Sequence, residues 1–379
     1  MNATYSASQN AALRQIADQF VHQGPVVNVT ALGNGNINDT FLVTIDAPSQ
    51  TGFVLQRINH HVFQNPAAVM KNMVCVTEHI QRKLAQYPLD RPWQIPQVIF
   101  TKTGQDHWES GTGDYWRSLN FIEGSVSFER LTTEHQAQEV GVALGLFHRL
   151  LSDLPPSQLT DTLPGFHHTP HYLTQYRQAC SMAVSRRRVG DLISEVKFCQ
   201  DFVNQRADWC SVLETAKQRG ELPLRLMHGD PKVNNILFDR QTDQAVSVID
   251  LDTTKPGLIH YDIGDCLRSG CNLAGEETQD WQGVTFNVEL CRAILQGYLP
   301  QCRQFCGEAD YDYLFDAIRL IAFELGLRFF TDYLNGDRYF KVKYEEHNLI
   351  RALVQFQLTI SIEQQQRVIE ELIDTLKSP

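Results

Sequence analysis

Along residues 12–21 the apolar positions Ala12, Leu13, Ile16, Ala17, Phe20 and Val21 fall mostly three or four apart, so the spacing predicts an amphipathic helix with Ser8 as its N-cap. After the Gly24-Pro25 break the period shortens. Val26–Val29, Thr40–Ile45 and Gly52–Ile58 are rich in β-branched and aromatic residues and predict three strands. Behind Pro66 the residues Val69, Met73, Val76, Ile80 and Leu84 return to helical spacing. Gln97–Thr101 and Tyr115–Ile122 then predict two more strands, joined by a polar turn at Gly111 and Gly113. Beyond Gly124 helices prevail. One covers Glu134–Leu151, others lie near 172–185 and 192–217 past a Pro-rich connector at 154–170, and the chain is helical again from about 285. Within this stretch Leu224–Met227, Ile236–Phe238 and Val246–Ile249 predict short strands around a polar loop. The pattern predicts an α+β fold of two lobes, a small β-rich one over residues 1–123 and a larger, mainly helical one over 124–379.

The polar loop is the most informative segment. It reads His228-Gly229-Asp230-Pro231-Lys232-Val233-Asn234-Asn235 and runs directly into a strand. A carboxylate followed five positions later by an amide suits phosphoryl transfer: Asp230 can orient a hydroxyl and accept its proton, and the amide oxygen of Asn235 can ligate Mg²⁺, which takes hard oxygen donors. Lys232 can reach the transferred phosphate as a point charge. The strand Ala245–Ile249 ends in Asp250, twenty residues after Asp230, so a hairpin can bring both carboxylates to one cleft. Asp252 shares a face with Asp250 if the strand stays extended, and either joins the metal site or caps the next turn. Earlier in the chain, Gly33-Asn34-Gly35-Asn36 sits between two predicted strands, where its backbone N–H groups can meet phosphate oxygens. It precedes no helix and lacks Gly-Lys-Ser/Thr, which argues against a Walker loop or a Rossmann site.

Composition narrows the classes. A chain of 379 residues with 42% apolar side chains and 20 Phe, 12 Tyr and 5 Trp can bury a large core. Its formal charge of −11 argues against nucleic-acid or anionic-membrane binding. The stretch 314–330 is interrupted by Asp316, Arg319, Glu324 and Arg328, so no membrane span is expected. No secretory pattern opens the chain and the nine cysteines form no Cys-x-x-Cys pair, which predicts reduced thiols and a cytoplasmic protein. His167, His168 and His171 have metal-like spacing, but Thr169-Pro170 breaks a helix that would align them, so a surface loop is expected. Arg186-Arg187-Arg188 reads as a solvated face, and His148 as a satisfied helix histidine.

Together, His-Gly-Asp-x4-Asn-Ile-Leu-Phe and the following Ile-Asp resemble the aminoglycoside phosphotransferase and choline kinase superfamily, relatives of the protein kinases. Residues 33–41, 53–59 and 328–340 are similar to its N-acetylhexosamine 1-kinase branch, and the likeness runs from about residue 26 to about 358. The resemblance implies a two-lobed protein-kinase-like fold, ATP and Mg²⁺ as cofactors, and a small-molecule acceptor, most like an amino sugar phosphorylated on its anomeric hydroxyl. It assigns Asp230 and Lys232 to catalysis and Asn235 and Asp250 to the metal. Gly33, Asn34, Gly35 and Asn36 would meet the nucleotide, as would Arg57 with Glu78 as its helix partner. The backbone at Phe121 and Ile122 would bind adenine. Asp230, Arg328 and Tyr339 would contact the sugar. The basic residue on the third strand is Lys in many members, whereas Gln56-Arg57 stands here, and a surface Arg–Glu contact is the competing reading. For Arg328 the rival is a buried salt bridge with Glu324, and for Tyr339 simple core packing. Other acceptors of the same fold, such as choline, an amino alcohol or an aminoglycoside, remain open, as does a catalytically idle nucleotide-binding regulator.

Overall fold

A computed structural model describes residues 7–33, 37–48, 51–183 and 193–377. Helix α1 (Ala7–Ala17) leads into strands β1 (Val26–Ala31), β2 (Asp39–Ile45) and β3 (Gly52–Ile58), then α2 (Pro66–Gln86), β4 (Val98–Ile99), β5 (Trp108–Glu109) and β6 (Tyr115–Asn120). Pairing is antiparallel in the order β1-β2-β3-β6-β4, with β5 also on β6. One sheet face is apolar by simple alternation. Phe41, Val43, Ile45, Phe53, Leu55 and Trp116 bury against Leu13, Ala17 and Phe20. The period of two forces the intervening residues Gln56 and Arg117, which stand opposite each other in register, onto the other face. Asn65 caps α2 by accepting from the Ala68 N–H, with Pro66 at its first position.

A short strand β7 (Ser125–Val126) carries the chain into the helical part and pairs with a hairpin there. The elements that follow are α3 (Glu134–Leu151), α4 (Thr169–Ala183), α5 (Ile193–Arg206), α6 (Val212–Gln218), β8 (Arg225–Met227), β9 (Ile236–Asp239), β10 (Ala245–Val248), β11 (Lys255–Gly257), α7 (Ile259–Gly270), α8 (Val288–Cys302), α9 (Glu308–Asp312), α10 (Leu314–Asn335), α11 (His347–Gln364) and α12 (Gln366–Lys377). Strands β9 and β10 form the expected hairpin, and β8 pairs with β11. Helices α3 and α8 approach closely because Gly141 and Gly297 sit at their contact: a Cβ on Gly141 would meet the Ile294 carbonyl oxygen at 1.9 Å, and one on Gly297 the Gln138 carbonyl oxygen at 2.0 Å.

Several local expectations change. Ser8 lies inside the first turn of α1 rather than ahead of it. The span expected as one helix over 192–217 is two, α5 and α6, separated by a 3₁₀ turn at Ala207–Trp209. There the Trp209 ring packs on Phe323 at 5.3 Å and under Arg319 at 4.4 Å. Helix α7, in a stretch with no expected helix, follows β11. Residues 34–36 of the Gly-rich loop and Arg186 to Arg188 fall outside the described residues. Among the described residues no helix is long and apolar enough to cross a membrane.

Candidate active site

The segment between β8 and β9 is held in a fixed turn by partners from three directions. Asp262, buried on α7, accepts from the backbone N–H groups of His228 (2.6 Å) and Gly229 (2.7 Å). Burial works against this carboxylate, but its bonds and proximity to His148 and His228 hold it below the usual carboxylate range. Thr253 donates its hydroxyl to the His228 carbonyl at 2.7 Å. The His228 ring donates Nε2–H to the Ile249 carbonyl (2.9 Å) and accepts at Nδ1 from the Asp230 N–H (3.2 Å), so it is the neutral tautomer, in line with a downward shift caused first by burial. Gly229 has φ +88°, and a Cβ there would come within 2.8 Å of Thr253, so the turn admits only glycine.

On this frame Asp230, Lys232, Asn235 and Asp250 come together. Asp230 Oδ2 accepts from Lys232 Nζ at 2.9 Å and from Asn235 Nδ2 at 3.3 Å, and Asn235 Nδ2 also donates to the Asp230 carbonyl at 2.8 Å. Among the described residues Oδ1 of Asp230 takes no hydrogen bond, which leaves that oxygen to face a hydroxyl. Asp230 and then Asp250 raise the Lys232 ammonium well above its ordinary range, so it stays a cation. The Ile249 N–H bonds to the Asn235 carbonyl at 2.9 Å, which sets Asp250 beside Asn235 at the mouth of the hairpin. Desolvation and the neighbouring Asp252 push the Asp250 carboxyl up to about 6.

Asp250 and Asp252 do not share a face. Asp250 has left-handed backbone (φ 65°), which ends the strand before its alternation reaches Asp252. Both oxygens of buried Asp252 are engaged by the N-terminal sheet: Oδ2 accepts from Asn38 Nδ2 at 2.7 Å, and Oδ1 from Arg117 Nη1. Arg117 is fully buried and also donates Nε–H to Gln56 Oε1 at 2.9 Å, while Gln56 donates to Thr40 Oγ1 at 2.9 Å and Asn38 Oδ1 accepts from the Asn59 N–H at 3.0 Å. Thus Asp252 fastens the sheet to the helical part. Sequence reasoning missed Asn38, Arg117 and Asp262; the available signals were Arg117 inside the predicted strand Tyr115–Ile122 and Asn38 directly ahead of β2.

Arg57 is placed differently from expectation. It lies on the face shared by Phe53 and Leu55, turned away from Asp252, and donates Nε–H to Asp39 at 2.9 Å with Asp114 at 3.5 Å. Glu78 is exposed on α2 and does not bond Arg57 among the described residues. The cation facing the helical part is Arg117, one sheet neighbour away from Gln56. At the crossover Phe121 is half-buried and Ile122 buried, with the Ile122 carbonyl accepting from Ser125 Oγ at 2.6 Å. Gly33, with φ +72° and open space where a Cβ would stand, begins the Gly-rich loop; Asn34, Gly35 and Asn36 lie outside the described residues.

Near the C-terminus Arg328 is ringed by Phe166 (5.3 Å), Tyr172 (5.1 Å), Tyr339 (5.8 Å) and Phe340 (5.4 Å). Its expected rival partner Glu324 is taken: Oε1 bonds His167 Nδ1 at 2.8 Å and Oε2 accepts from Thr169 Oγ1 at 2.6 Å. Tyr339 is mostly exposed, which rules out core packing. The three histidines do not converge on one point. His167 is buried rather than on a surface loop, whereas His168 and His171 point to Glu214 and Gln175. His148 is satisfied as expected, by Tyr298 (2.9 Å) and Asp262 (2.8 Å).

A family model described as APH, phosphotransferase enzyme family, matches residues 28–301. Among solved structures, the fold is similar to a microcompartment-associated aminopropanol kinase, with 16% identity, a TM-score of 0.58, and coverage of 95% of this chain and 98% of that one. It is also similar to a spectinomycin phosphotransferase in complex with ADP and spectinomycin (13% identity, TM-score 0.57, 95% and 100% covered). A choline kinase from Cryptosporidium parvum matches at 15% identity and TM-score 0.57, over 97% and 98% of the two chains.

Proposed function

The chain belongs to the phosphotransferase enzyme family, and within it we propose a small-molecule kinase that transfers the γ-phosphate of ATP to a hydroxyl of an N-acetylhexosamine, the anomeric one. The observation that carries the transfer reading is the meeting of Asp230, Lys232 and Asn235, on one immobilised turn, with Asp250 at the end of the adjoining hairpin. Asp230 would orient the acceptor hydroxyl and take its proton, and Lys232 would offset charge on the transferred phosphoryl. The nucleotide would lie between the lobes, divided at about residue 123, with adenine along the Phe121–Ile122 backbone and phosphates under the loop of Gly33, Asn34, Gly35 and Asn36. The spectinomycin enzyme of similar fold is known with ADP, which supports a nucleotide in this cleft.

The donor set fits Mg²⁺. Asn235 and Asp250 offer hard oxygens, and desolvation together with the repulsion from Asp252, which raise the Asp250 carboxyl, are penalties a bound cation relieves. Among the described residues no group of three or more His, Cys, Asp or Glu forms an all-protein cage, and Mg²⁺ ordinarily takes one or two protein ligands and completes its shell with phosphates and water. Bound there, it would supply charge neutralisation on the phosphates. Asp250→Ala is expected to weaken Mg²⁺-dependent nucleotide binding at least about tenfold, the worth of one charge-assisted contact; calorimetry giving an unchanged affinity would remove Asp250 from the metal site.

A neutral sugar is favoured over a cationic acceptor by the surroundings of Arg328. This guanidinium repels an ammonium, and both oxygens of the adjacent Glu324 are engaged, so neither would receive one. Arg328 and Tyr339 offer donors and an aromatic face to a pyranose. ADP release with Mg²⁺·ATP should be fastest with N-acetylglucosamine or N-acetylgalactosamine in a panel that includes choline, 1-aminopropan-2-ol and kanamycin, and phosphorus NMR should show a sugar 1-phosphate. Preference for choline or the amino alcohol would overturn the acceptor assignment, and absence of turnover with every member would favour an idle regulator.

A further inference from the structure

Resting on this phosphotransfer reading, we propose that His167 is a positioning residue: as a doubly protonated imidazolium held by Glu324, it fixes the carbonyl of the peptide joining Gly229 to Asp230. The Gly229 carbonyl lies 2.9 Å from His167 Nε2 and can only accept, so Nε2 carries a proton. On the other side Nδ1 lies 2.8 Å from Glu324 Oε1. An ionised carboxylate also only accepts, so Nδ1 must carry a proton as well. The alternative is a neutral imidazole receiving a proton from a neutral Glu324. Three features oppose it: Thr169 donates to Oε2 at 2.6 Å, Arg328 stands one helical turn away on α10, and Asp265 of α7 adds negative potential at the ring.

The ring is fixed on every side. It stacks on Tyr261 of α7 at 5.3 Å with 12° between planes, Phe166 packs at 4.0 Å, and Tyr172 of α4 lies close by. Burial disfavours the charge, but Glu324 and the bond to Gly229 outweigh it and raise the imidazole above its ordinary 6.5. The backbone of His167 is left-handed (φ 60°), an unusual conformation for a residue with a Cβ. The same Gly229 whose N–H is held by Asp262 therefore has its carbonyl held by His167. Clamped at both polar groups, it delivers Asp230 in one orientation. The sign of the pH effect follows: the charged pair is complete below pH 6.5 and is lost as pH rises through the raised value.

The experiment combines nitrogen NMR with kinetics on the full chain. In protein labelled with ¹⁵N-histidine at pH 6.5, the resonances missing from His167→Gln should report two protonated nitrogens; one bare nitrogen would overturn the proposal. His167→Leu should lower kcat on the order of 10²-fold through misplacement of Asp230, with KM for ATP and acceptor within about twofold of the parent. His167→Gln, whose amide N–H can reach the Gly229 carbonyl, should recover at least about tenfold of that loss. A kcat for His167→Leu within about threefold of the parent, or no recovery by glutamine, would also overturn it. Should the leucine variant not fold, Glu324→Gln decides: it keeps hydrogen-bonding atoms while removing the charge, and unchanged kcat and an unchanged ring spectrum would refute the pairing. If no acceptor is turned over at all, the phosphotransfer reading fails on its own, and the nitrogen spectrum still decides whether the imidazolium exists.

Discussion

Asp230→Ala is expected to reduce turnover by roughly 10²- to 10⁴-fold, the range associated with a positioned general base. Nucleotide affinity should barely change, because in the proposed site the phosphate and metal contacts come from Lys232, Asn235 and Asp250 rather than from Asp230. Because the transition state of phosphoryl transfer is loose, what the alanine removes is orientation of the hydroxyl as much as proton acceptance. Single-turnover measurement of phosphoryl transfer, paired with calorimetry of Mg²⁺·ATP, separates the two. A variant with parental turnover would remove Asp230 from the chemistry. A variant that loses nucleotide affinity in proportion to rate would make it a binding residue.

The second large effect concerns stability. Arg117→Met should destabilise the protein by about 3–5 kcal/mol, because it leaves the carboxylate of Asp252 buried with, among the described residues, Asn38 as its remaining side-chain donor. Arg117 and Asp252 are 0% and 2% exposed at their side chains, so solvent screening gives little relief. The double replacement Arg117→Met with Asp252→Leu removes the stranded charge and should recover most of the loss, as well-packed apolar substitutes for buried ion pairs do. Urea unfolding followed by tryptophan fluorescence gives both numbers. If the single variant costs less than about 1 kcal/mol, the pair does not fasten the two parts of the molecule.

Much of the site is legible in local sequence because its parts are close in the chain. Asp230, Lys232 and Asn235 occupy one loop, and the hairpin that returns Asp250 is short and patterned as two strands. Arg57 shows where locality fails. Gln56 and Arg57 differ by one position, and a strand sends adjacent side chains to opposite faces. Which of them meets the helical part depends on the Gln56–Arg117 pairing across β3 and β6, sixty-one residues apart. Helix α7 was hidden for a different reason. Its apolar residues Ile259, Ile263, Cys266 and Leu267 keep ordinary helical spacing, but the polar side carried by His260, Asp262, Asp265 and Arg268 is buried as well, which a one-dimensional pattern does not show. His167 became meaningful only beside Glu324 and Gly229, each more than sixty residues distant in sequence. The branch-level substrate assignment rests on short strings whose partners are equally remote.

The fastening through Asp252 has a consequence for handling the protein in concentrated electrolyte. Ions in solution weaken contacts they can surround, such as the exposed pairing of Arg57 with Asp39, but reach a dry carboxylate and guanidinium poorly. Raising the salt should therefore loosen the outer rim of the β-sheet first, while the seam between sheet and helices keeps its grip.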